Sequence, residues 1–173
     1  MLTSNFEDIE EIKSLSVNAK VVFYLALTER LLHIIVKNIE GYNKAKETLS
    51  NCWNWVEGKP VTGDSLYELL DNEEDTGLSI YAELEEDPQR LQLWYILIDA
   101  VSYTIWQAYK KEDVKYLPQP IEIVDEDIIY HFIDNVKMIN EFDSSWILSL
   151  KEYLQNNFQN DQLQKAVIMN ILK

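Results

Sequence analysis

Two stretches of this chain, "VVFYLALTERLLHIIVKNI" and "LQLWYILIDAVSYTIWQAY", have the length of a helix and too few polar residues for an exposed face. A surface helix keeps one polar side, so a helix that is apolar nearly all round must be surrounded by others. Residues 21–27 are the extreme case, with no polar face at all. Two such helices require a shell of further helices, and nothing else in the chain limits the fold as tightly. Glu29, Arg30, His33 and Lys37 interrupt the first stretch, which argues against a membrane span.

The punctuation between these stretches supplies the shell. Ser16 reads as the N-cap of a helix over 17–39, with Gly41 just past its end. A second helix over 43–57 carries Ala45, Leu49, Cys52, Trp53 and Val56 on one stripe and stops at Gly58. Asp64 caps a short helix to Leu70, and a helical turn is expected over 78–84. Asp87-Pro88 is an N-cap followed by proline at the first helical position, opening a helix to residue 110. "KKEDVKYLPQPIEIV" reads as a loop in which "PIEIV" forms at most one extended run. Helices follow over 126–139, over 144–158 capped by Asp143, and over 162–172 capped by Asp161; a short one over 6–13 opens the chain. With no alternating strand pattern and no repeat, the expectation is all-α. It is a single-domain bundle of seven or eight helices over 1–173, around two apolar central helices. A boundary near residue 116 is the alternative, but the amphipathic C-terminal helices should pack back onto the rest.

Charge restricts the partners. The 173 residues include 15 Lys plus Arg against 30 Asp plus Glu, a net charge of −15. A chain so acidic is badly suited to nucleic acid or to an anionic membrane, and is suited to a basic partner or simply to solubility. Cys52 is alone, so neither an intrachain disulfide nor a cysteine metal cluster is available. "MLTSNFEDIEEIK" has no basic region followed by an apolar run, so no signal peptide is expected and the cytoplasm is the expected compartment.

Catalytic patterns are nearly absent: there is no phosphate-cradling glycine loop, no nucleophile elbow and no zinc-protease histidine pair. Glu29 with His33, and Asp127 with His131, stand four apart, so each pair shares a helix face. Facing one another they would supply two imidazoles and two carboxylates to a metal-dependent enzyme, although di-iron bundles space Glu and His by three. The ordinary reading is surface helix support, with no cofactor and no catalysis. Glu29 and Arg30 lie inside the most apolar helix, and Asp99 inside the other is a candidate partner for Arg30. Breaking such a buried network would cost about 3–5 kcal/mol and mark it as structural. "DNEEDTGLSIYAE" mimics a calcium loop, but its glycine and closing glutamate each fall one residue late.

The acidic blocks are more informative. Glu68, Asp71, Glu73, Glu74, Asp75, Glu83, Glu85, Glu86 and Asp87 fall within twenty residues with no Lys or Arg among them, and Leu78, Ile80 and Tyr81 lie between. Such a mixture suits a protein interface. In "LSNCWNWVEGKP", Trp53 lies on the apolar stripe, whereas Trp55 points about 100° away and becomes either a lid over a neighbouring helix or an interface anchor.

"LSVNAKVVFYLALTERLLHIIV", "CWNWVEGK" and "LYELLDNEEDTGLSIYAELEED" together resemble the sixth numbered family of bacterial immunity proteins, from contact-dependent and polymorphic toxin systems, over roughly residues 15–135. "ALTERLL" and "CWNWVEG" also resemble an uncharacterised all-α bacterial family. The first resemblance implies an all-α protein that neutralises a cognate secreted toxin by binding it. An acidic nucleic-acid mimic that blocks many basic proteins is a further alternative. From charge and aromatic content, the expected partner-binding residues are Trp55, Glu73, Glu74, Asp75, Tyr81, Glu83, Glu85, Glu86 and Asp87.

Overall fold

Side-chain caps at Ser16, Asn38, Thr62 and Asp87 start four of the helices. The computed structural model describes residues 6–157 and 159–173. They form α1 (Phe6–Lys13), α2 (Val17–Leu31), α3 (Ile39–Val56), α4 (Gly63–Leu70), α5 (Ser79–Leu84), α6 (Pro88–Lys111), α7 (Gln119–Glu122), α8 (Ile128–Lys137), α9 (Ser145–Asn156) and α10 (Lys165–Met169), with 3-10 turns at Leu32–Ile35 and Asn160–Leu163. Seven of these helices have eight or more residues, and no strand occurs among the described residues. Residues 1–5 of the N-terminal stretch read above, and Phe158, expected to end the helix over 144–158, lie outside the described residues.

The two apolar segments are the two central helices. Every residue of α2 from Val21 to Thr28 is buried, and α6 packs against α2, α3, α4, α5, α7 and α8. Tyr24 of α2 stacks on Tyr103 of α6 at 4.4 Å between centroids, with Phe132 of α8 at 4.7 Å from Tyr24. Hydroxyls inside these helices are satisfied locally: Thr28 donates to the Tyr24 carbonyl and Thr104 to that of Ala100. Ile9, Ile12, Trp146, Leu150, Leu154, Ile168 and Leu172 join the same core, so the C-terminal helices do pack back onto α1 and α2.

Several boundaries differ from the sequence reading, each for a local reason. The first central helix is shorter than 17–39: it tightens into a 3-10 turn at Leu32, and Asn38 restarts the chain as α3 by accepting from the Gly41 amide at 3.0 Å. Gly41 therefore opens a helix instead of ending one. A Cβ there would lie 3.0 Å from both the Trp94 and Tyr81 rings, so the residue is small because two aromatics crowd it. Thr62, in a capping box with Ser65, caps α4 in place of Asp64, whose carboxylate accepts from the Tyr109 hydroxyl at 2.7 Å. "PIEIV" contributes to the one-turn helix α7, not to an extended run. The expected helix over 162–172 is divided into a 3-10 turn and α10 by extended backbone at Gln164; the side chain of Asp161, its expected cap, lies outside the described ones. Among the described residues no helix is long and apolar enough to cross a membrane.

Candidate partner-binding surface

The acidic residues lie on the connection from α4 to α6, and one side chain organises its first loop. Asn72 Oδ1 accepts from the Glu74 and Thr76 amides at 3.0 and 3.1 Å, while its Nδ2 donates to the Glu68 carbonyl and the Thr76 hydroxyl. Asp75 adopts a left-handed φ of 53° to close the turn. Gly77 then passes so close to α4 that a Cβ would lie 2.5 Å from the Leu70 carbonyl oxygen. Leu78, fully buried, plugs the core, and its amide donates to Leu69. With the loop held from inside, Glu73, Glu74 and Asp75 face water. So do Glu83 and Glu86, and none of these five forms an ion pair within the described residues. Apolar surface lies among them: Leu84 is 72% exposed, and the half-buried Tyr81 stacks on Trp94 while donating to Glu40.

Three expected interface residues are engaged by contacts within the chain. Glu85 Oε1 accepts from Arg90 Nε and from the Glu86 and Asp87 amides, each at 3.1 Å, and Oε2 faces Trp94 Nε1 at 3.4 Å. Burial pushes its carboxyl upward, but Arg90, the Asp87 amide and Trp94 outweigh that and hold it below the ordinary glutamate range. Asp87 caps α6 by accepting from the Arg90 amide at 2.9 Å. Trp55 is only 6% exposed, with the Lys111 ammonium 5.7 Å above its ring. The helix wheel placed it at a flank because a wheel allows one buried face, whereas α3 packs against α2, α4 and α6 at once. Trp53 is buried as expected; its Nε1 finds no hydrogen-bond partner among the described residues.

The charges inside the apolar helices also pair differently from expectation. Arg30 does not meet Asp99: its Nε donates to the Leu172 carbonyl at 2.8 Å, and its guanidinium lies 4.6 Å from the Trp146 ring. The C-terminal segment packs over that side of α2 and claims the arginine. The four residues considered for a metal are likewise dispersed. Glu29 pairs with Lys165 at 2.9 Å, His33 with Glu141 at 2.6 Å, Asp127 with Lys13 at 2.7 Å, and His131 with Asp99 at 2.6 Å. No group of three His, Cys, Asp or Glu side chains is placed to hold a metal among the described residues, the "DNEEDTGLSIYAE" loop included.

Beside the acidic loop lies a groove of about 560 Å³, bounded by that loop, by α6 and by the α7–α8 segment. Its walls include Leu70, Ile98 and Ile128, and four aspartates line it: Asp71, Asp99, Asp125 and Asp127. No Lys or Arg is among its lining residues. Asp99, 8% exposed, is the most buried of the four. Burial pushes its carboxyl up to about 6, against the opposing pull of His131 and Asn135. Sequence reasoning identified Asp99 as a buried charge but not this groove, because Asp125 and Asp127 reach it from a segment remote in sequence.

A family model described as Immunity protein Imm6 matches residues 19–139, well over half of the chain. The match runs from within α2 to just past α8 and leaves α1, α9 and α10 outside. No curated protein and no solved structure matches the chain.

Proposed function

The chain belongs to the Imm6 family of immunity proteins, and from that premise we propose that it neutralises one cognate toxin with a basic binding surface by covering that surface. Membership in the family implies toxin neutralisation, and immunity proteins generally work without catalysis. The observation that carries the finer reading is the acidic shoulder, where Glu73, Glu74, Asp75, Glu83 and Glu86 stand exposed and unpaired around Tyr81 and Leu84. With 30 Asp and Glu against 15 Lys and Arg, at least half of the carboxylates cannot each have a cationic partner, and here five of them lie together. Five without one leave a local field that attracts cations. Such a field can raise association rates to about 10⁸–10⁹ M⁻¹s⁻¹ at low salt, which suits an inhibitor that must reach a lethal protein quickly in the cytoplasm of the cell that makes it. The adjacent aromatic and leucine supply the desolvated contact that holds a complex once it has formed.

The test is protection of a cell expressing the cognate toxin, sought among the products of the neighbouring genes. A quadruple variant, Glu73→Lys, Glu74→Lys, Glu83→Lys and Glu86→Lys, changes only exposed, unpaired positions and should fold normally by circular dichroism. It is expected to lose protection and to weaken toxin binding at least a hundredfold. Full protection by the folded variant would remove the shoulder from the interface. Neutralisation of unrelated basic proteins by the parent chain would favour the nucleic-acid mimic instead.

A further inference from the structure

We propose that the groove between α6 and the α7–α8 segment seats an arginine side chain of the toxin, its stem on the apolar walls and its guanidinium against Asp99. This inference rests on the toxin-binding reading above and names the anchor within it. The composition of the groove matches that side chain part by part. An arginine needs apolar surface for its methylenes and carboxylate for its head; Leu70, Ile98 and Ile128 offer the first and four aspartates the second.

The aspartates are not equivalent. Asp71 accepts from the Ser79 hydroxyl, Asp125 from the Asp127 amide, and Asp127 pairs with Lys13. Asp99 is set apart by its burial, the other three being half-buried or exposed. Both protein donors, His131 Nδ1 at 2.6 Å and Asn135 Nδ2 at 3.4 Å, fall on Oδ2. Oδ1 receives no donor from any described residue, although Asp99 is a groove-lining residue only 8% exposed. Oδ1 is not sealed from solvent, so it is left as the acceptor that a cation entering the groove meets. Guanidinium suits the position better than ammonium, being planar and less strongly hydrated. Burial keeps the carboxyl raised even with His131 beside it, and a further cation at Oδ1 favours its ionised form.

Two further features connect the groove to the rest of the surface. Asp71 is a wall of both the groove and the neighbouring hollow that Glu73 and Glu74 line, so a basic protein drawn to the shoulder meets the groove next. At the other rim Ile123 is 82% exposed, an apolar residue that gains burial only when something covers the groove.

The experiment has two arms. In the first, the isotope-labelled protein is titrated with N-acetylarginine methylamide and, separately, with N-acetylnorleucine methylamide, and amide shifts are followed by NMR. Saturable shifts confined to the groove are expected with the arginine probe alone. They should weaken at least fivefold in Asp99→Asn and in Ile123→Arg, the latter an exposed position where folding is not at risk. In the second arm, the same two variants are measured for binding to the cognate toxin identified by the protection test above, with losses of tenfold or more expected. If the parent protects against the toxin while both variants bind it within twofold of the parent, the groove is not the anchor, and the immunity reading stands. Equal response to both probes, or shifts spread over the acidic surface, would also overturn the proposal. If the arginine probe fills the groove as described but the parent neither binds nor neutralises the toxin, the immunity reading fails and the groove remains a guanidinium site.

Discussion

Asp99 is ionised against its surroundings, and that has a consequence for stability. Its folded pKa of about 6 lies above the ordinary aspartate value of about 3.9. Between those values the folded chain keeps the proton and the unfolded chain has lost it. The contribution of this group to stability therefore falls as pH rises through that window and stays low at neutral pH. Two units correspond to roughly 2–3 kcal/mol. Asp99→Asn removes this titration, so relative to the parent it should gain roughly 2–3 kcal/mol between pH 4 and pH 7. Urea denaturation of both proteins at both pH values checks this, and parallel pH profiles would show that Asp99 carries no such penalty. The tryptophans make a second residue-scale case. With Trp53 3% and Trp55 6% exposed, alanine at either position should cost roughly 3–5 kcal/mol in the same assay. A loss below about 1 kcal/mol for Trp55→Ala would return that indole to the list of interface anchors. What could be read from sequence at this scale was that Arg30 and Asp99 are charges inside apolar helices, Asp99 buried and Arg30 half-buried. Their partners could not be read, since Leu172 and His131 are chosen by packing between helices distant in the chain.

Among the elements, the loop from α4 to α5 and the C-terminal segment depend on different devices. The loop needs a missing side chain at Gly77, because the atom a Cβ would strike at 2.5 Å is backbone and cannot rotate away. Gly77→Ala should cost about 1–3 kcal/mol and, by displacing the loop that carries Glu73 to Asp75, should weaken toxin binding as well. Unchanged stability and binding would mean the loop has slack that its geometry conceals. The C-terminal segment is held to α2 by Arg30 on the Leu172 carbonyl and by Lys165 with Glu29, and α9 is held to α1 by Lys151 with Asp8 at 2.6 Å and Glu11 at 2.9 Å. Arg30→Ala removes a charge-assisted hydrogen bond and its packing on Trp146, a loss of about 1.5–3 kcal/mol. Hydrogen exchange should then accelerate over 165–172 while the α2 and α6 amides stay protected. Uniform acceleration throughout the chain would instead make Arg30 part of the global core. The strong start of α6 at Asp87-Pro88 was legible because cap and proline act locally. The end of α2 was not: no residue near Leu31 is a helix breaker, and the turn there is imposed by the packing of α3 and α6 around it.

For the molecule as a whole, a charge of −15 acts at distances where contacts do not. The Debye length shortens from about 30 Å at 0.01 M salt to about 10 Å at 0.1 M. The association rate with a basic toxin should therefore slow markedly over that range, while the dissociation rate, set by short-range contacts, changes little. Stopped-flow association and dissociation measured separately would show it. A flat association profile would confine the acidity to a role in solubility. The family match ends at residue 139, yet α9 and α10 complete the burial of α2, so the remaining third of the shell is as much a part of this core as the matched portion.

Sequence alone determined the class of fold, because hydrophobicity spread around two helices is a property of each helix that only a surrounding shell of helices can satisfy. It determined the sign of the surface for the same reason: charge is additive and independent of arrangement. Tertiary structure decided which carboxylates face outward. Glu85 and Glu86 are neighbours of one type, yet Arg90 and Trp94 hold the first inside while nothing holds the second. It also decided that Asp71, Asp99 and Asp125 line one groove, since their proximity follows from how α6 and α8 pack across the chain, and no local pattern encodes a distance between segments that meet only after folding.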